Sequence, residues 1–376
     1  MSINAQERSA LATAVHAAAK SGPRPFIDDA GQPVRDARLW TLLTEQMGLA
    51  ALLIPEPDGG AGAGVAEVAV VLEQLAQTLA VVPALSSLGV ATGLLRVLRT
   101  PAATELMKRL ATGELTATVA WPQPESFDLK PTLVGSGPAQ VGEHVTVSGQ
   151  CNFVLDGSEA NLIFAPVRCG ESNIAVCIEA EQPNVACARM RGIDLTRGFA
   201  SITMTDATAT VMGADVDLQP ALDISLVLIA AEQVGIAQQR HDCATAWAKE
   251  RIQFGRPIGQ FQAIKHQLVD LLMALELARS SLDLATAAAD CYLGDPGHRN
   301  AVALSIAASD AKARCGEAAM LVARESLHIF GGIGFTWEHD AHLYFRRAKV
   351  LEVLLGTPAA HRYRYAGLLL DGATNA

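Results

Sequence analysis

The sequence predicts an α+β fold in which a helical first third and a C-terminal bundle of long helices flank a central antiparallel β-region. Three observations carry this. Half of the 376 residues are hydrophobic but only 5% are aromatic and 18% charged, an Ala/Leu/Val-rich balance that suits close-packed helices and excludes disorder. Between Leu115 and about Asp217 the texture changes, with Thr, Val, Gly and Pro rising in short strand-like runs. From Ile264 the apolar positions Ile264, Leu268, Leu271, Leu275, Ala278, Leu282, Ala285 and Ala289 advance in alternate steps of four and three, the seam of one long bundle helix.

Each segment follows from its own pattern. From Ala5 to about Gly113 the periodicity is helical: Leu39, Leu42, Leu43 and Met47 share a face, and Pro55, Pro57 and Gly59-Gly60-Ala61-Gly62 break the chain before a run from Val65 to Leu79. The uncharged stretch Thr78 to Leu95 has spanning length, but Pro83, Ser86, Ser87 and Gly89 interrupt it, so it reads as two buried helices joined by a turn and no membrane span is expected. His144–Ser148, Asn161–Ala165 and Ile174–Ile178 read as strands with no helix between them, hence a small antiparallel domain. After Pro220 helices return: the Ile264 helix, one from about Ala301 to Ile329 that stops at Gly331-Gly332, and the last ones around Gly356 and Pro358. The expected domains are residues 1–114, 115–217 and 218–376.

Lys and Arg number 29 against 39 Asp and Glu, a net charge of −10 without any basic run, which argues against nucleic acid. The seven cysteines form no Cys-x-x-Cys pair and lie in apolar surroundings, as reduced thiols of a cytoplasmic protein would. The opening residues include a glutamate and no apolar stretch, so no secretory signal is expected. His339 and His342 are spaced as a metal could use, but no acidic or cysteine companion is evident at ligand spacing, and no metal is expected.

Chemistry concentrates in two segments. Arg251-Ile252-Gln253-Phe254-Gly255-Arg256-Pro257-Ile258-Gly259-Gln260-Phe261-Gln262 lies between two long helices, where Arg251 offers a planar fork of donors suited to a diphosphate, and Phe254 and Gln262 could meet a flat ring. His328-Ile329-Phe330-Gly331-Gly332-Ile333-Gly334-Phe335-Thr336 is a glycine-rich stop where backbone can come close to a ligand. Together with Gly48-Leu49-Ala50-Ala51-Leu52-Leu53-Ile54-Pro55-Glu56 followed by Gly59-Gly60, these strings resemble the acyl-CoA dehydrogenase family over nearly the whole chain.

That resemblance implies a helical N-terminal domain, a central β-domain and a C-terminal four-helix bundle, assembled as dimers or tetramers with FAD at the subunit interfaces. It implies αβ-desaturation of an acyl-CoA thioester, in which a carboxylate removes the α-proton and the β-hydride passes to flavin N5, with an electron-acceptor flavoprotein as a further partner. By the same resemblance Arg251, Gln253, Phe254 and Gln262 reach a neighbouring chain's FAD, and His328, Gly331 and Gly332 lie near its adenosine half. His328 stands where glutamine is usual, yet a neutral imidazole still donates one hydrogen bond.

The catalytic positions depart from the family. The usual base is the glutamate of a Glu-Gly-Thr triplet, matched here by Leu355-Gly356-Thr357, and leucine accepts no proton. The alternative position, at the start of the helix before Arg251, falls at Ser225 and Leu226. The segment lining flavin and substrate falls at Val119 to Ser126, including Trp121, and the flavin-bonding threonine is replaced by Leu155 in Phe153-Val154-Leu155-Asp156-Gly157. A chain with outer FAD contacts and no base resembles one subunit type of the heteromeric acyl-CoA dehydrogenases with which actinobacteria shorten steroid side chains. The expected partner is thus a paralogous chain that carries the glutamate. Two other readings stay open: a self-sufficient homo-oligomer using Glu352 or another carboxylate as base, and a non-catalytic assembly or acyl-CoA-binding protein. Glu232 reads as a polar interhelical contact.

Overall fold

The computed structural model describes residues 4–21, 27–28, 31–122, 127 and 129–374. Helix α1 (Ala5–Lys20) opens on a capping box, the Asn4 side chain accepting the Glu7 N–H and the Glu7 carboxylate the Asn4 N–H. Helix α2 (Ala37–Thr41) runs into a π-helical turn, Leu42–Gln46, and buries Leu39 and Leu43. Helix α3 (Val65–Gln77) is capped from afar, since the Asp290 carboxylate accepts the Val65 N–H at 2.5 Å. The apolar stretch after it is a turn followed by one continuous helix, π-helical over Ala84–Ala91 and α-helical in α4 (Thr92–Leu98), with every residue of 84–91 buried. Helix α5 (Pro101–Leu110) starts with proline at its first turn, where no donor is lost.

Strands β1 (Ala117–Val119), β2 (Leu133–Ser136), β3 (His144–Leu155), β4 (Leu162–Cys169), β5 (Ser172–Glu179), β6 (Val185–Met190) and β7 (Phe199–Ala214) follow without an intervening helix. The pairings β4-β2-β3-β7-β5 return to β4 and close the sheet on a core of Val147, Ile163, Val167, Val176, Ile202 and Val211. The expected antiparallel arrangement needs a correction: β2 and β1 both run parallel to β4. A ring with an odd number of strands cannot alternate direction all the way round, so at least one neighbouring pair in it must be parallel, and here it is β2 with β4.

Helices α6 (Gln219–Glu250), α7 (Gln262–Gly294), α8 (His298–Phe330), α9 (Ala341–Val353) and α10 (Pro358–Thr374) complete the chain, and α6, α7, α8 and α10 form the bundle. Leu271, Leu275, Ala278, Leu282, Ala285 and Ala289 are buried along the predicted seam, while Ile264 and Leu268 at its start are half-buried. Among the described residues α6 is the one helix long and apolar enough to cross a membrane, and its apolar window is wholly buried in the fold. It packs so close to α3 that a Cβ on Gly235 would lie 2.2 Å from the Glu73 carbonyl oxygen.

Candidate functional site

The two motif segments meet at one end of the bundle. Arg251 caps the C-terminus of α6, and the chain turns through a short hairpin, β8 (Ile252–Gln253) against β9 (Arg256–Pro257), whose tip places Phe254 and Gly255 at positive φ. Helix α7 then begins at Gln262 with no side-chain cap on its first N–H groups. On the other side α8 ends where Gly331 takes φ +68°. The segments are joined beneath by the edge contact of Trp247 with Phe330 at 6.1 Å and by the Gln267 amide donating to Glu325 at 2.9 Å.

Arg251, Gln253, Phe254, Gln262, His328 and Gly332 are all exposed, Gly331 half so, and Phe254 is 91% exposed. His328 stacks on Phe335, and Phe335 and Trp337 beside it are exposed as well. Exposed aromatic rings, a guanidinium and an uncapped helix N-terminus offer a diphosphate and a flat ring what each needs, and these residues fit the outer half of a dinucleotide.

Far from that end, Leu155, Leu355 and Trp121 converge, although they come from β3, the α9–α10 turn and the end of β1. With Phe153, Leu354 and Ser86 they line a chamber of about 30 Å³, room for one water, and no carboxylate lines it among the described residues. Leu355 is 3% exposed at φ +56°. Its turn is clamped from two sides: Lys312, fully buried, donates to the carbonyls of Glu352 and Gly356, and His361 Nε2 donates to that of Leu355. Burial lowers the Lys312 ammonium to about 7 and the His361 imidazolium to about 3, so His361 is neutral. Among the described residues the Trp121 indole Nε1 is buried without a hydrogen-bond partner. Positions 123–126 of the flavin-lining segment lie outside the described residues.

The carboxylates named from sequence are engaged elsewhere. Glu352 pairs with Lys349 at 2.5 Å and does not line the chamber. Ser225 donates back to Ala221 on its own helix. Glu232 accepts two bonds from the buried Arg197, at 2.6 and 2.7 Å, in a cluster completed by Arg347 and Asp194. Asp156, half-buried beside this cluster, accepts from Ser86 Oγ at 2.6 Å, and desolvation pushes its carboxyl upward against the pull of Arg197. Lys312 and the arginine cluster escaped the sequence reading. Lys312 had a signal, a lone lysine on the buried phase of α8 between Ala308 and Cys315.

A second, larger cavity of about 390 Å³ adjoins the chamber. Phe153 and Leu354 line both, and Ile193, Phe199, Val350 and Val353 supply most of its remaining apolar wall. A flavin ring needs polar partners along its pyrimidine edge; the residue predicted for that contact is Leu155, which has none to offer. The ring half of the cofactor therefore does not fit this chain as the outer half does.

Comparison with known proteins agrees with the geometry. Residues 5–114 match the acyl-CoA dehydrogenase N-terminal domain and residues 212–367 the acyl-CoA dehydrogenase C-terminal domain. The chain is 35% identical over 325 residues to acyl-CoA dehydrogenase IpdE2 of Mycolicibacterium smegmatis, covering 86% of this chain and 85% of that one. It is 33% identical over 311 residues to acyl-CoA dehydrogenase FadE34 of Mycobacterium tuberculosis, covering 82% of this chain and 39% of the relative. Its fold superposes on a variant of the Tcur3481-Tcur3483 steroid ACAD with a TM-score of 0.82 and 25% identity, covering 98% of this chain and 99% of that one. It superposes on the ChsE4-ChsE5 complex from Mycobacterium tuberculosis with a TM-score of 0.82 and 24% identity, covering 98% of both chains. With both helical domains matched, and a relative this similar along most of its length, the chain belongs to the acyl-CoA dehydrogenase family.

Proposed function

We propose that this chain is the base-lacking subunit of a heteromeric, FAD-dependent acyl-CoA dehydrogenase acting in fatty-acid or steroid side-chain degradation. The observation that carries this reading is the contrast between its two halves: Arg251, Gln253, Phe254, Gln262, His328, Gly331 and Gly332 gather at one outward-facing end, while the chamber holding Leu155 and Leu355 has no carboxylate and room for one water. Bound between chains, FAD would accept the β-hydride of the acyl-CoA. This chain's part is to hold the outer half of the cofactor: Arg251 would meet the diphosphate, and the aromatic hairpin tip and the His328 turn would hold the rest. The carboxylate that removes the α-proton would come from the paralogous partner, with an electron-acceptor flavoprotein as a further partner. Support comes from the relatives, one named a steroid ACAD of two gene products and one a two-protein complex.

The test is to purify the chain alone and together with its glutamate-bearing paralogue. Alone it should be close to inactive, since general-base assistance of roughly 10²–10⁴-fold is missing. Together the chains should form a yellow heteromer with about one FAD per pair of chains, because a two-fold interface offers two shared sites and only the partner's would hold a flavin ring. Ordinary dehydrogenase turnover by the chain free of any partner would overturn the proposal.

A further inference from the structure

The glycine-rich turn at the end of α8 has almost no core of its own. Of the described residues from Gly331 to Asp340, Gly334 alone is buried, while Ile333, Phe335 and Trp337 turn apolar surface to solvent. Gly334 lies so close on the end of α8 that a Cβ there would stand 3.0 Å from the Cβ of Phe330. A segment with so few buried contacts keeps one shape only when its two ends are fixed.

Both ends meet on one buried guanidinium. Arg240 of α6 is 1% exposed, and its central carbon lies 3.8 Å from the centroid of the Tyr344 ring and 5.9 Å from that of Phe330. It pairs with Asp340 at 3.3 Å and donates to Cys243 Sγ at 3.4 Å. Phe330 is the last residue of α8 before the turn, and Asp340 and Tyr344 belong to the start of α9 after it. Asp340 stands at the N-cap of α9, where an aspartate ordinarily accepts an N–H of its own helix, yet its carboxylate makes no capping bond. His339 Nδ1 accepts the Ala341 N–H instead, and the His339 ring packs on Phe330 at 4.5 Å. The aspartate serves the turn rather than the helix.

We propose that Arg240 is a positioning residue for the dinucleotide: by holding Phe330 and Asp340 on one guanidinium it closes the turn between them and fixes the outward backbone of Gly331 and Gly332, against which the adenosine half lies. The inference rests on the reading that this end of the bundle holds the outer half of FAD. Arg240 is itself buried and acts through the turn, without touching the cofactor. A flat, delocalised cation can lie against two rings and still reach a carboxylate, whereas an ammonium is a point charge that cannot do all three.

The experiment measures the FAD affinity of the assembled protein by equilibrium dialysis, and amide hydrogen exchange over residues 331–340 by mass spectrometry. Arg240→Lys keeps the charge and loses the flat stack. Asp340→Asn, at a half-exposed side chain, releases only the far end of the turn and decides the matter if Arg240→Lys does not fold. Each should speed exchange over the turn and weaken FAD, Arg240→Lys about five- to tenfold and Asp340→Asn about threefold. Arg279→Gln is the control for lost stability, since it leaves Glu73, a buried carboxylate elsewhere, without its cation. It should lower the urea midpoint at least as far as Asp340→Asn does and leave FAD affinity unchanged. Unchanged FAD affinity in either folded variant, or a loss no larger than in Arg279→Gln, overturns this inference. Arg251→Ala run alongside tells which reading has failed: if it weakens FAD the heteromer reading stands, and if it too leaves the affinity unchanged both fall.

Discussion

Arg251 leaves α6 with its guanidinium exposed, near the face of Trp247 at 5.7 Å and free of any carboxylate partner in the ion pairs of the described residues. Its donors are thus available to an anion brought by another chain. Hydrogen bonds to charged groups are worth about 1.5–3 kcal/mol, so Arg251→Ala should weaken FAD retention in the assembled protein roughly ten- to a hundredfold, read by equilibrium dialysis of the flavin. Unchanged affinity would show that the motif does not serve a cofactor. His361 makes the opposite case, a group whose charge the fold suppresses. Burial first, then Lys312, lowers its pKa from 6.5 to about 3, so across that window the unfolded chain binds a proton that the folded chain refuses. Stability from this group is therefore present above pH 6.5 and lost as the pH falls toward about 3, at up to about 1.4 kcal/mol per pH unit. His361→Gln keeps a donor for the Leu355 carbonyl and should flatten that slope, compared by urea unfolding at pH about 7 and about 5. Parallel slopes in both proteins would refute the assignment.

Helix α7 shows how one element serves two surfaces. Its seam is buried within the chain against α6 and α8, whereas Val269, Leu272, Met273, Leu277 and Leu284 project on the other side and are exposed, Leu284 by 70%. Helical spacing sets these residues on a second apolar stripe, larger than a lone chain in water would carry without cost. If the stripe is the contact that brings two chains together, the double substitution Leu277→Glu and Leu284→Glu should turn the purified assembly into single chains in sedimentation velocity while leaving the far-ultraviolet circular dichroism intact. An assembly that survives both glutamates would place the contact elsewhere.

At the scale of the molecule, three bodies are tied by buried and half-buried polar links that hydrophobic packing alone does not dictate. Tyr344 of α9 donates to the Gln77 carbonyl at the end of α3, Arg279 of α7 meets Glu73 of α3, and Arg197 before β7 meets Glu232 of α6. The chamber lies where β1, β3 and the α9–α10 turn converge, so its chemistry is a property of the whole fold. Installing a carboxylate there by Leu355→Glu should accordingly fail to give the lone chain dehydrogenase activity in a dye-reduction assay. Leu155 still offers the flavin ring no polar partner, and a misplaced ring loses the alignment that makes intramolecular transfer fast. Activity from that single change would mean that the ring site is intact.

What the sequence determined by itself is set by periodicity and punctuation. The alternating fours and threes of α7 demanded one long buried seam whatever its neighbours, Gly331 marked a helix end, and the strings around Arg251 and His328 carried the family resemblance because they are contiguous. The absence of a base at Leu355 was legible for the same reason. Tertiary structure decided what depends on residues distant in the chain. The parallel pairing of β2 with β4 follows from closing an odd ring, which no strand announces alone. Lys312, an isolated cation in an alanine-rich helix, becomes the clamp of the Leu355 turn only because α8 passes beneath the α9–α10 connection. Trp121, Ser86, Phe153 and Leu355 share one small chamber because the barrel, the apolar helix 84–98 and the bundle meet there, and contacts between separate elements are fixed by packing geometry, which local pattern does not encode.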